Sequence, residues 1–365
     1  MPGRSAFTGY LRQAPGERLA PHTGRRARSY TNHAYQHPMR LRRLLRITAV
    51  TGAALLLAVA LVRAWPHPPL SSHAPQSLAV QDRHGELLRL TLASDDRYRL
   101  WLPLEQISPR LVDAVLLHED AWFRWHPGVN PLSLVRGAWS TYVSGGARIG
   151  GSTLTMQLAR LLGRLDTRSP AGKLRQVAQA LWLEARYSKD EILEAYLNLA
   201  PYGGNIEGVG AASLIYFDKP AGELTLPEAL TLAVLPQAPA RRGKPAADGA
   251  GQVIGPALAA ARDRLYQRFR ARGGADAADD ALMALPLRLR PASALPFAAP
   301  HLVERVLAER WRRSLPGPRL RTTLELPLQR LVEQRVASHL ARWRGKGLDN
   351  AVVMLVDTRD MGIKA

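Results

Sequence analysis

The longest uninterrupted apolar stretch of the chain runs from Ile47 to Val62, ITAVTGAALLLAVALV, and holds no charged residue. Sixteen residues of helix reach about 24 Å, short of the ~30 Å hydrocarbon core of a bilayer. Leu44, Leu45 and the flanks close that gap if Arg46 and Arg63 extend their head groups toward water, so a transmembrane helix is predicted over 44–66. A cleaved signal peptide ending at Ala58-Val59-Ala60 is the alternative; the apolar run continues past that site, which favours a retained span. Beyond it comes a Pro/Ser/His-rich stalk. Leu78–Leu92 then alternates around Asp82-Arg83-His84-Gly85, which predicts a small hairpin within 67–105. From Ser108 to about Pro236 the apolar period becomes helical; the Ala/Pro/Arg/Gly-rich stretch 237–300 predicts one helix near 256–272, and a short strand over 317–328 is followed by a helix over about 327–343.

Four of those helices carry candidate chemistry. The first opens at Ser108-Pro109, a good cap and a good first helical residue. Val112, Leu116, Glu119 and Phe123 follow at helical spacing, which puts Glu119 on an apolar stripe, with Asp120 about 100° away. A desolvated carboxylate has a raised pKa and suits proton abstraction near neutrality. The second helix follows Gly150-Gly151-Ser152. Leu154, Leu158, Leu161 and Leu162 form its expected buried side, and Thr153, Gln157, Arg160 and Arg164 its polar side. A glycine-led start capped by Ser152, with two guanidiniums, is a candidate phosphate cradle.

The third helix is expected over Gly172–Arg186, with Leu174, Val177, Ala178, Leu181 and Ala185 inward and Lys173, Gln176 and Ala180 opposite. Ser188-Lys189-Asp190-Glu191 is a capping box that starts a fourth, so Glu184–Glu191 reads as architecture. The glycine-rich run Tyr202–Gly210 lacks the preceding strand that a dinucleotide fingerprint needs, and reads as a tight turn in which Asn205 tolerates left-handed geometry.

Charge adds a constraint. The chain has 365 residues, no cysteine and a net charge of +20, carried by 44 arginines and six lysines. Without cysteine there is no disulfide framework and no thiol nucleophile. Residues 1–46 alone hold ten arginines against Glu17. Such an excess suits an anionic partner. The basic cluster before the span predicts a cytoplasmic N-terminus, as a disordered tail over 1–43, with Met39 as a second candidate start. No recognition fold follows the tail, so nucleic acid is not an expected partner.

Read together, these segments resemble the family 51 peptidoglycan glycosyltransferases, the first catalytic domain of class A penicillin-binding proteins. The family's E-D-x-x-F-x-x-H-x-G appears as Glu119, Asp120, Phe123, His126 and Gly128. Its G-x-S-T-x-x-Q-Q appears as GGSTLTMQ, with Met156 replacing the first glutamine and Gln157 matching the second. Tyr196, Asn198, Gly203, Asn205, Gly208, Ala211, Ala212, Tyr216 and Phe217 match a third pattern. One motif departs: the family's R-K-x-x-E is here Gly172, Lys173 and Gln176, so an arginine and a second glutamate are absent.

The resemblance implies a mainly α, lysozyme-like transferase domain over 106–240, a linker region over 241–345, and a truncated start of a transpeptidase domain over 346–365. Ala351–Asp357 would be the opening buried strand of that last part; with no S-x-x-K or K-T-G in the chain, serine acyl transfer is not expected. It further implies polymerisation of lipid II into β-1,4 glycan strands at the periplasmic side of the bacterial inner membrane. Glu119 would be the base. Asp120, Phe123, His126, Ser152, Thr153, Gln157, Arg160, Lys173, Gln176 and Asn205 would bind substrate. Expected partners are lipid II, the growing glycan, membrane lipid and other wall-synthesis proteins. No cofactor is certain; a divalent cation such as Mg is left open, and no metal ligands are assigned, since Gln176 weakens a carboxylate-held site. A lysozyme-like hydrolase and a non-catalytic scaffold are the rival readings. Val129–Tyr142 is a candidate membrane-facing flap.

Overall fold

The computed structural model describes residues 37–131, 151–167, 169–237, 253–313 and 317–365. Most of the expected tail and the expected flap from residue 132 onward lie outside them. The chain divides into two compact units, Met1–Ala58 and Val59–Ala365. In the first, the described residues belong to α1 (His37–Ala64). Its stretch Leu45–Ala64 has 20 residues, a mean hydropathy of 2.2 and no burial, long and apolar enough to cross a membrane.

In the second unit, β1 (Ala79–Gln81) and β2 (Leu87–Leu90) form the expected antiparallel hairpin, pairing Ala79 with Leu90. A helical core follows. It comprises α2 (Pro109–Glu119), α3 (Leu154–Gly163), α4 (Pro170–Arg186), α5 (Lys189–Leu199), α6 (Val209–Phe217), α7 (Leu226–Val234), α8 (Pro256–Arg270) and α9 (Ala277–Ala284). Between α5 and α6 lies a two-stranded ribbon, β3 (Pro201–Gly203) and β4 (Ile206–Glu207). The centre is α7, with all nine residues buried and α2 and α8 packed against it. The Ser188 capping box forms as expected: Ser188 Oγ accepts from Glu191 N, and Glu191 Oε2 accepts from Ser188 N at 2.7 Å.

The helix expected near 256–272, the strand expected within 317–328 and the helix expected over 327–343 all form, and they pack into cores where a linker region was expected over 241–345. Leu258, Ala261, Leu265, Tyr266 and Phe269 form a buried stripe at helical spacing and join the main core, as does Leu289. Further on, β5 (Arg319–Arg321) pairs in parallel with β1, beside α10 (Pro300–Arg313) and α11 (Leu326–Trp343). Val80, Leu88, Ala299, Val303, Leu320, Leu324 and Leu326 make a second, smaller core there. The buried strand expected at Ala351–Asp357 does not form. Val352 is 95% exposed, and the segment pairs locally with the residues just after it, through Leu355 with Lys364 and Ala365, Asp357 with Gly362, and an isolated bridge from Val356 to Ile363. An apolar run becomes a buried strand only when a facing layer covers it.

A further correction concerns α4. Of its expected inward stripe, Leu174 and Leu181 are 71% and 44% exposed, beside Trp182 at 54%, and Val177 alone packs partly buried against the core. Gly172, Gln176, Ala180, Leu183 and Glu184 face in. Gly172 packs against the Asp166 carbonyl and Ala180 against Gly128, while Gln176 bonds Met156 O and Glu184 bonds Thr155 on α3.

Asp82 ties the two ends of the small core together. Its buried carboxylate accepts His84 N at 2.7 Å, Glu86 N at 2.9 Å and Leu326 N at 3.1 Å, which caps the start of α11. Burial raises its pKa, but the bonds from Leu326, Glu86 and His84 outweigh it, so the carboxyl lies below its usual value. A depressed folded-state pKa contributes stability above the unfolded value of about 3.9 and loses it as pH falls through the folded value. Asp82→Ala is expected to cost about 2 kcal/mol in denaturant unfolding near neutrality, with the difference from wild type shrinking below about pH 4.

Candidate active site

Glu119 is the last residue of α2, and Asp120 breaks the helix with φ −159° and ψ 78°. The expected stripe therefore stops at Glu119. Phe123 reaches the core through the following turns, and the buried side of α2 is Leu111, Ala114, Val115 and Leu117. The break has a cause in Asp120 itself. Its carboxylate is held by His126 Nε2, 3.0 Å from each oxygen, and by Leu154 N at 2.9 Å. Leaving the helix lets this side chain join the end of α2 to the start of α3.

The Glu119 side chain is only 6% exposed. Gln157 Nε2 donates to its Oε2 at 2.8 Å, and the Tyr196 hydroxyl donates to Gln157 Oε1 at 3.4 Å. His118 Nε2 lies 3.9 Å from Oε1. Burial, and then the Glu119 charge, push the Tyr196 phenol well above its ordinary pKa; Arg160 pulls the other way. The same two causes raise Tyr202. Both phenols therefore stay neutral around the carboxylate at physiological pH.

Cations enter from α3 and α4. Lys173 Nζ donates to Ser152 Oγ at 2.7 Å and to Gln176 Oε1 at 2.9 Å, while Gln176 Nε2 donates to Met156 O at 2.6 Å. Burial lowers the Lys173 pKa, and the Arg160 guanidinium lowers it further. Arg160 thus acts on both Lys173 and Tyr196, and Glu119 acts on Tyr196 as well. Carboxylate, guanidinium and ammonium belong to one electrostatic group.

The remaining expected residues fall into two sets. Thr153, not Ser152, caps α3: its Oγ1 accepts from Met156 N and donates to Gly128 O at 2.5 Å. With Leu154 N committed to Asp120, two amides of the expected helix-start cradle are already used, so an anion here would rest on side-chain cations. Asp120, Phe123, His126 and Thr153 are all buried in this scaffold. Glu184 and Lys189 complete it. Thr155 Oγ1 and Lys189 Nζ donate to Glu184 Oε1 at 2.6 and 2.7 Å, and Lys189 also donates to His126 O and stacks over Phe123 at 4.5 Å. Asn205 belongs to a different set of contacts: it donates to Asp96 O, and its carbonyl accepts from Tyr98 N.

Sequence reasoning did not assign His118 or Tyr202 to the site. His118 is marked only by its place next to Glu119; Tyr202 arrives through the β3–β4 ribbon, which reads in the sequence as a tight turn. The departure at Gly172 has a local reason. A Cβ there would sit 1.9 Å from Asp166 O, so the backbone itself fills the space an arginine side chain would need. Nor does this donor set fit a carboxylate-held cation. Gln176 offers an amide already bonded at both ends, and among the described residues no three His, Asp or Glu side chains cluster.

Comparison with known proteins gives the following. A family model described as Transglycosylase matches residues 84–258. Penicillin-binding protein 1C of Escherichia coli (strain K12) is 35% identical over 304 residues, covering 82% of this chain and 37% of that protein. Penicillin-binding protein 1A of the same strain is 41% identical over 144 residues, covering 40% and 17%. A crystal structure of penicillin-binding protein 1A from Haemophilus influenzae aligns with a TM-score of 0.31 at 20% identity, over 69% of this chain and 27% of that one. The chain thus spans well under half the length of these relatives.

The scaffold reading of Asp120 can be tested directly. Asp120→Ala leaves His126 and Leu154 N without their buried acceptor and is expected to cost about 3 kcal/mol in unfolding free energy. A residue that only touched substrate would leave thermal unfolding unchanged.

Proposed function

Residues 84–258 belong to the transglycosylase family, and on that premise we propose that this chain polymerises lipid II into β-1,4 glycan strands. The observation that carries the reading is the Glu119 carboxylate, buried, oriented by the Gln157 amide, and grouped with Arg160 and Lys173. Glu119 takes the proton from the acceptor's 4-hydroxyl. That oxygen attacks the donor's anomeric carbon from the side opposite the leaving group, and polyprenyl diphosphate departs with inversion. The departing oxygens gather negative charge, and preorganised cations in a partly desolvated pocket lower the barrier to that charge. Arg160 and Lys173 supply it, with Ser152 and Gln176 holding the ammonium in place.

The rival hydrolysis would need a second carboxyl across the sugar. Asp120 is the adjacent carboxylate and is already committed to His126 and Leu154 N.

Membrane placement accords with a polyprenyl substrate. One apolar helix long enough to cross a bilayer, the arginines before it, and the outward apolar face of α4 support a single-pass anchor with the catalytic unit on the periplasmic side of the inner membrane. Trp122 and Trp125, 65% and 83% exposed, are further candidates for lipid contact.

Two outcomes test the mechanism. Glu119→Gln is expected to reduce polymerisation of labelled lipid II by the detergent-solubilised chain on the order of 10²–10⁴-fold without loss of fold; retained polymerisation would refute the assignment. Because the Lys173 pKa is lowered, its charge is lost at a lower pH than an ordinary lysine's. The alkaline limb of the rate profile is therefore expected to move upward in Lys173→Arg, whose side chain keeps its charge. An unmoved limb removes Lys173 from the diphosphate site.

A further inference from the structure

Glu119 occupies an electrostatically poor position. It is the last residue of α2, where unsatisfied carbonyls and the negative end of the helix macrodipole disfavour a carboxylate. Asp120 N takes the Leu116 carbonyl. The next carbonyl, Leu117 O, is taken from outside the helix: Arg268 Nη2, on α8, donates to it at 2.6 Å. The same segment holds the other end of α2, where Arg110 Nη1 pairs at 2.5 Å with Asp279 of α9, a carboxylate only 3% exposed. Between these two ends, α8 packs on α2, with Leu265 and Phe269 buried. Arg268 and Asp279 both lie beyond the matched residues 84–258.

We infer that Arg268 is a positioning residue for Glu119, and that α8 and α9 form part of the active-site scaffold. The guanidinium offsets the negative helix end beside the base, favours its ionised form and holds the last turn of α2 in register with Gln157. Titratable groups that face Glu119 include His118 on its own helix, Tyr196 from α5 and Tyr202 from β3; Arg160 of α3 acts on Tyr196 and on Lys173 of α4. Arg268 acts from the opposite direction, on the carbonyl end of α2.

The inference rests on the transferase reading only for its kinetic arm. The full chain, labelled with ¹³C at glutamate carboxyls and solubilised in detergent, gives a titration of Glu119, its signal assigned by its loss in Glu119→Gln. In Arg268→Gln the midpoint is expected to rise by about half a pH unit, and in Arg268→Lys by less. Below that midpoint kcat for lipid II falls about three- to tenfold with KM unchanged, because the base is protonated and misaligned while substrate contacts remain. If Arg268→Gln does not fold, Arg268→Lys supplies the same titration. An unmoved midpoint overturns the inference whether or not the chain turns over lipid II. A raised midpoint in a chain that makes no polymer supports the inference and counts against the transferase reading alone.

Discussion

The end of one helix is fastened to the start of another by a single buried carboxylate. Asp120 accepts from His126 and from Leu154 N, so α2 stops where α3 begins. That junction brings Glu119 and Gln157 within hydrogen-bond distance although they are 38 residues apart. It also explains why so many polar groups are buried nearby. Glu184, Thr155, Lys189, Thr153 and the Gly128 carbonyl satisfy one another around the same junction. A buried polar network stabilises only when each member is paired, and breaking one leaves the others exposed to the full desolvation cost. Gly128 shows how tight the junction is: at φ +83°, a Cβ there would meet Glu184 Cγ at 2.6 Å.

Two neighbouring carboxylates are given opposite tasks by their surroundings. Asp120 is surrounded by donors and works as a structural anion. Glu119 has the Gln157 amide on one oxygen, His118 beside the other and neutral phenols nearby. The cations are kept on separate helices. Burial lowers the Lys173 pKa first, and the Arg160 guanidinium lowers it further.

The helices after residue 253 change the outline of the domain. Their apolar stripe packs on α7 and α2, and their charged ends bond both ends of the helix that bears Glu119. The composition of this stretch, rich in alanine and arginine with few large apolar residues, hides that role. Leu258, Leu265 and Phe269 suffice because α7 presents a wholly buried surface to receive them.

Several features were legible without coordinates: the apolar span, the β1–β2 hairpin, the Ser188 capping box and the residues Glu119, Gln157, Arg160 and Lys173. Each rests on local information, such as an uncharged run, a turn signal, a cap pair or a motif with fixed spacing. What the sequence alone could not settle is where a side chain points once a helix has neighbours. The stripe of α4 was apolar yet turned largely outward, because polar bonds from Gln176 and Glu184 and the small residues Gly172 and Ala180 set its rotation. Ala351–Asp357 had the pattern of a buried strand yet found no layer to cover it. Asp120 looked like a substrate ligand and became a joint between helices. Hydrophobic pattern states what a segment can bury, whereas burial itself depends on partners distant in the chain, and those are chosen only when the whole set of contacts forms together.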